Sequence, residues 1–384
     1  MDIPLVLRDA TLYLESGVQR GDMLVVGERI AAIGDVKAPS GSRERRLEGR
    51  YVLPGLVDLQ VNGCAGSEVY EASIGALRAI LRALPRFGCT SVLPTMVSAS
   101  DERYGRLGKV LAGLSDSPDG ARVLGVHLEG PYLSPSYPGA HGLDALRTPD
   151  VSHAERLLDA LGGHVRVWTI APELPSSAEL IDLLIARSVV VAAGHSALSF
   201  EESRECFKRG VTLVTHLFNA MAPLDHRAPG LAAAALLDPS VRYSLIADGY
   251  HVHPAVVRLA SELASDRVIL VTDAVSASDC PDGTYELAGQ RVKRESGTVR
   301  TRNGALAGST LTALQGLKNF SNWLGVDLVD ALPVMTTRPA DLIGRTDVGR
   351  LAEGAYADFL VMDANGELLE THVGGARVWE RQAA

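Results

Sequence analysis

"SVVVAAGHSALSFEESRECFKRGVTLVTH", residues 188–216, decides how the chain is read. It opens with a short apolar run and closes with another, and each run ends on a histidine, His195 and His216. Between them apolar residues recur at three and four, after Ser199 and before Gly210, which is the pattern of a capped helix. Near-continuously apolar strands separated by a helix pair in parallel and are covered by helices.

Outward from this stretch the same unit repeats. Strand-like runs lie in "VLPGLVDLQVN", "CTSVLPT", "ARVLGVHLE", "HVRVWTI", "SVVVAAGH", "VTLVTH", "VRYSLIAD" and "RVILVTD", with helix-like segments such as "SSAELIDLLIARS" and "PAVVRLASELAS" between. Eight units predict an α/β fold closed as a (β/α)8 barrel of the TIM type, whereas roughly four or five would predict an open sheet. Both chain ends read instead as short alternating strands with glycine turns. They predict one small β-sandwich from residues 1–51 and 346–384, around a metal-dependent catalytic barrel of residues 52–345.

The first barrel run contains "VDLQVNGC", residues 57–64. Strict alternation sends Asp58, Gln60 and Asn62 to one face and Val57, Leu59 and Val61 to the other. Three polar side chains on one face are expensive to bury unless they do something there. The net charge of −9 argues against a nucleic-acid or anionic-membrane partner. Charges interrupt the first residues too early for a signal peptide, and no apolar run approaches about 18 residues. Cys64, Cys89, Cys206 and Cys280 form no C-x-x-C pair and are expected to pack as reduced thiols in a cytoplasmic protein.

Barrel active sites form at the carboxyl ends of the strands. There the sequence places Asn62, Glu129, His195, His216, Asp248 with His251, and Asp273. Glu129, His195 and His216 supply one carboxylate and two imidazoles, a set that suits zinc or a related divalent ion and leaves a position open for water.

"VHLEGPYL", "AAGHS", "THLFNAM", "ADGYHV" and "VTDA", in this order, resemble the N-acetylglucosamine-6-phosphate deacetylases of the amidohydrolase superfamily. The resemblance runs essentially end to end; "HLEGP" and "THLFNAM" are specific, while "VTDA" alone is weak. It implies hydrolysis of the acetamide of N-acetylglucosamine 6-phosphate to glucosamine 6-phosphate and acetate, in amino-sugar catabolism and recycling. It also implies that Glu129, His195 and His216 bind the metal and that Asp273 is the catalytic acid and base. His251 would help the metal polarise the carbonyl. Ala140, His141, Asn219, Ala220, Arg227, Leu306, Ala307 and Gly308 would contact the sugar phosphate, and Arg227 makes chemical sense as a bidentate phosphate partner. Related deacetylases are dimers in which the arginine of this loop serves the neighbouring site, so a homodimer with Arg227 acting across the interface is expected.

Most amidohydrolases carry H-x-H at the end of strand one, where this chain has Gln60 and Asn62. Carboxamides are poor zinc ligands but hold a water or a ligand well by hydrogen bonds. One divalent ion per subunit is therefore expected, zinc first, with iron, cobalt or manganese as alternatives. His127 reads as a hydrogen-bonded interior histidine and Asp58 as a supporting partner. Glu173 reads equally as a cavity residue or a structural one. His226 and His253 read as surface or interface, and His153, His164 and His372 as solvated. A sister amidohydrolase acting on a cyclic amide or nucleobase lacks support, because H-x-H is missing and no lysine ends a strand. An inactive scaffold would have no need for Glu129, His195, His216 and Asp273 together.

Overall fold

The computed structural model describes residues 3–114 and 120–382; the extreme ends of both terminal segments lie outside them. The eight predicted barrel strands form: Leu56–Val61, Cys89–Val97, Val126–Glu129, Val165–Ile170, Val190–Ala193, Leu213–Val214, Arg242–Leu245 and Val268–Leu270. Each pairs in parallel with the next. Strand eight returns to strand one through its outgoing segment, where the Asp273 amide donates to the Gln60 carbonyl (2.9 Å) and the Asn62 amide to the Ala274 carbonyl (2.8 Å).

The helices form for local reasons. In Phe200–Arg209 the Ser199 side chain caps the Glu202 amide, Glu202 reaches back to the Ser199 amide, and Gly210 closes the helix at φ 119°. Its buried residues, Ser203, Cys206 and Phe207, follow the predicted spacing of three and four.

Alternation fails within strand one. Val57 and Leu59 face the barrel interior with Leu93, Val167, Leu213 and Ile269. Asp58 instead faces the seam, where it accepts from the Thr272 amide at 3.3 Å and the Gln60 amide at 3.1 Å. Pairing with strand two slips between Asp58 and Val61, and such a slip changes which side chains reach a face. Gln60 and Asn62 thus reach the barrel mouth while Asp58 does not share their side.

The two chain ends do join. Leu5–Leu14, Gly17–Val26, Arg29–Gly34, Arg43–Arg46 and Tyr51–Pro54 share one eight-stranded sheet with Phe359–Met362, Leu368–Val373 and Ala376–Glu380. An antiparallel four-stranded sheet that the sequence reading did not foresee, from Gly283–Leu287 to Leu306–Ser309, is inserted between strand eight and the helix Ala313–Leu324. Among the described residues no helix is long and apolar enough to cross a membrane.

Candidate active site

A cavity of about 470 Å³ opens at the carboxyl ends of the barrel strands. Glu129, His195, His216, Asp273, His251 and Asn62 line its floor and wall, with Ala140, His141, Asn219, Ala220, Leu306 and Gly308 around them. His195, His216 and Asp273 all adopt left-handed backbone, at φ 48°, 31° and 51°. Each such residue costs about 1–3 kcal/mol, and the strain persists only where surrounding bonds fix it. Here the Ser244 hydroxyl accepts from the His216 amide (2.7 Å), and the His195 carbonyl accepts from the Ser134 amide (2.9 Å).

Glu129 Oε1 lies 2.9 Å from His216 Nε2 and 3.3 Å from His195 Nε2, and the two Nε2 atoms are 3.2 Å apart. His195 Nδ1 faces the Tyr137 carbonyl at 3.0 Å and must donate to it. Burial pushes His195 down to about 4, so the ring is neutral near pH 7 and its Nε2 presents a lone pair towards a carboxylate. Acceptor then faces acceptor, an arrangement that a cation between them resolves. Ligand atoms around a tetrahedral zinc lie about 3.3–3.5 Å apart, close to these spacings. The residues present therefore fit a divalent ion. His216 Nδ1 is also buried without a partner among the described residues.

A third histidine competes for inclusion. Glu129, His141 and His195 also bring their ligand atoms within 4.8 Å of one another. His141, however, approaches the other carboxylate oxygen, Oε2, at 3.5 Å, and its Nδ1 bonds the Ser98 hydroxyl at 2.9 Å. Burial alone would raise Glu129, but hydrogen bonds with His141, His195 and His216 hold it well below the usual carboxylate range. Burial likewise lowers His216, and the Glu129 carboxylate outweighs it and raises the ring.

The strand-one amides converge on the carboxylates. Gln60 Nε2 donates to Glu129 Oε1 (3.0 Å) and Asp273 Oδ1 (3.2 Å), and Asn62 Nδ2 donates to the same Asp273 oxygen at 2.6 Å. Both bonds fall on Oδ1, which leaves Oδ2 the free oxygen. Burial, then the Glu129 charge, pushes Asp273 up to about 6. His251 Nδ1 bonds Asp248 Oδ2 at 2.6 Å, which fixes the ring in the cavity wall.

Other expectations resolve differently. Ala307 is fully buried between Leu306 and Gly308 and packs with Val275, Val292 and Val299 under the inserted sheet, so its side chain does not reach the cavity. Arg227 is exposed and outside the cavity of its own chain. Glu173 accepts from the Ser196 hydroxyl (2.7 Å) and the Ala197 amide (2.6 Å), which anchors the loop after His195, and it does not line this cavity. His153 and His372 are buried, not solvated: His153 bonds Asp101 and Tyr132, and His372 bonds Glu370. Gln290, on the inserted sheet, was missed. Its Nε2 donates to the Ala140 carbonyl at 3.1 Å and it lines the cavity. The turn signals in "LAGQRVKRESGTVRTRNGA" announce that sheet.

A parallel eight-stranded barrel with two imidazoles and a carboxylate converging at its mouth defines the class of barrel hydrolases that work with a divalent ion. The amidohydrolase family model matches residues 51–378, and the chain belongs to this metal-dependent family. It is 35% identical to the N-acetylglucosamine-6-phosphate deacetylase of Homo sapiens, over 99% of this chain and 95% of that protein. It is 33% identical to the N-acetylgalactosamine-6-phosphate deacetylase of Escherichia coli O157:H7, over 96% of this chain and 98% of that protein. A mutant N-acetyl-D-glucosamine-6-phosphate deacetylase from Mycobacterium smegmatis, solved in complex with N-acetyl-D-glucosamine-6-phosphate, superposes with a TM-score of 0.87 at 32% identity. That match covers 98% of this chain and 99% of the other.

Proposed function

We propose that this chain hydrolyses the acetamide of N-acetylglucosamine 6-phosphate, releasing acetate and glucosamine 6-phosphate. The observation that carries the reading is the pairing of Asp273 with two strand-one amides beside the Glu129–His195–His216 set, in a cavity of sugar-phosphate size. Those three residues, in preference to a set with His141, would hold one ion, zinc first, because their ligand atoms share one carboxylate oxygen. When bound, a divalent ion there supplies Lewis-acid polarisation and a water of lowered pKa. Asp273 takes the proton of the attacking water and returns it to the departing amine, an otherwise poor leaving group. Gln60 and Asn62 occupy Oδ1, so the free Oδ2 is aimed for this transfer. His251, oriented by Asp248, steadies the carbonyl oxygen as charge develops on it.

The phosphate needs a cation from beyond the lining of this cavity. No lysine or arginine lines the cavity among the described residues. Arg227, exposed on the loop after His216, supplies it in a cytoplasmic homodimer in which each subunit completes its partner's site. Acetate release from a panel of N-acetyl sugars and their 6-phosphates, with metal content measured on the same sample, tests the reading. Much faster release from the 6-phosphates than from the unphosphorylated sugars is expected, and metal-loaded protein that frees no acetate from any N-acetyl sugar overturns it. The galactosamine relative makes the 4-epimer the informative second substrate.

A further inference from the structure

Beneath the ion-binding set runs a buried chain of polar groups that this chemistry does not use. His127 Nδ1 lies 3.0 Å from the Leu59 carbonyl, and His127 Nε2 lies 2.7 Å from the Thr169 hydroxyl. The Thr169 hydroxyl lies 2.7 Å from that of Thr215. All three side chains are buried, in a floor that also holds Leu59, Val167, Leu213, Ile269 and Val271 together with Gln60 and Ser244. Gln60 donates to Glu129 and Asp273 and the Ser244 hydroxyl accepts from the His216 amide, so among the described residues it is the members of the chain that satisfy one another.

The direction of the chain is fixed by chemistry. A carbonyl only accepts, so His127 carries its proton on Nδ1. The neutral ring then accepts at Nε2 from the Thr169 hydroxyl, which spends the only hydrogen Thr169 has. Thr215 must therefore donate to Thr169. Every proton points from strand six towards strand one.

Three of the four members sit one or two residues before a site group; Thr169 links them. Leu59 precedes Gln60, His127 is two before Glu129, and Thr215 precedes His216. The remaining ligand, His195, follows Gly194, which lies between the two threonines. A Cβ at Gly194 would meet Thr169 Cγ2 at 2.8 Å and Thr215 Cβ at 3.0 Å, so only glycine lets the threonines approach across strand five.

We propose that His127 is a positioning residue, acting through Thr169 and Thr215 to hold Gln60, Glu129 and His216 at the spacing an ion requires. The inference rests on the ion-binding reading of the site. Thr169→Val is nearly isosteric and removes only the hydroxyl, while Thr169→Ser keeps it. The divalent-ion dissociation constant, measured with zinc against a competing chelator, should weaken about 10–100-fold in Thr169→Val and stay near wild type in Thr169→Ser. Ion-free Thr169→Val should unfold somewhat below Thr169→Ser, because a buried acceptor loses its donor, yet both should be fully folded at the temperature of the ion titration; a merely structural role would leave the affinity of that folded protein at the wild-type value. Thr215→Val added to Thr169→Val should weaken binding little further, since the chain is already cut. Wild-type affinity in Thr169→Val, or fully multiplicative effects in the double variant, overturns the inference alone. A wild-type protein that binds no divalent ion overturns the reading of the site as well.

Discussion

Two buried glutamates in this molecule stand beside histidines and are neutralised in opposite ways. Glu370, in the terminal sheet, takes a bidentate pair from Arg45, a bond from His372 at 2.9 Å, and the Arg377 guanidinium at 3.7 Å. Burial opposes its ionisation, yet His372 and Arg45 hold it down to about 2. Glu129, at the barrel mouth, has imidazoles and the Gln60 amide around it and, among the described residues, no guanidinium or ammonium as a partner. The first cluster brings its own permanent cation. The second brings a carboxylate oxygen and two imidazole nitrogens together with no permanent cation of its own among the described residues, and that difference separates a structural ion pair from a site built for a ligand.

The sharpest way to break this comparison is to neutralise each acid. Glu129→Gln and His216→Ala should both lose the divalent ion by elemental analysis, with deacetylation reduced to the level of ion-free protein. Two ions bound per wild-type subunit would contradict the role given to Gln60 and Asn62.

Asp273→Asn keeps the shape and removes the base. Turnover should fall about 10²–10⁴-fold with ion content unchanged. Wild-type activity should decline as pH falls through about 6 or lower, because the base works only when ionised and a nearby ion draws its pKa below the buried value. A pH profile flat to pH 4 would count against it.

Arg227→Ala should cost about 10- to 200-fold in kcat/KM with the 6-phosphate, the equivalent of roughly 1.5–3 kcal/mol, and little with the unphosphorylated sugar. Heterodimers of Arg227→Ala with Asp273→Asn should regain activity, since one of their two sites then carries neither defect. Verified heterodimers that stay inactive place the arginine in its own subunit.

Glu370→Gln is the smallest effect on catalysis and completes the contrast. Activity and ion content should be unchanged, while stability drops about 1.5–3 kcal/mol in denaturant titration. Its pKa is depressed, so the stabilisation is present above the usual carboxylate range and is lost as pH falls from about 4.5 towards 2. A variant as stable as wild type down to that range would remove the distinction.

Much of this was legible in the sequence because each β/α unit carries its own period and its own caps, as Ser199 and Gly210 do. Glu129, His195, His216 and Asp273 were legible because position at a strand end already implies the barrel mouth. What stayed hidden depended on partners remote in sequence or on broken parity. His372 is buried because Phe359, on the neighbouring strand, stacks on it at 4.3 Å, a partner its own neighbourhood does not announce, whereas Glu370, which bonds it, lies only two residues before it. Asp58 left its expected face because of one slip in pairing. The inserted sheet was passed over because it interrupts the barrel rhythm after its eighth strand, and Gln290 was lost with it.

The seam between strands eight and one has a consequence in time. Gln60 and Asp273 are 213 residues apart, and no shorter path brings the base to its amides. The segment that closes the ring is the same one that bears the base. A growing chain can therefore assemble Glu129, His195 and His216 early, from neighbouring units, and still lack the group that moves the proton. Contacts so remote in sequence form late and slowly. Catalysis is withheld from every partly folded barrel and switched on by the last stitch, so the onset of turnover during refolding should lag the recovery of helical signal.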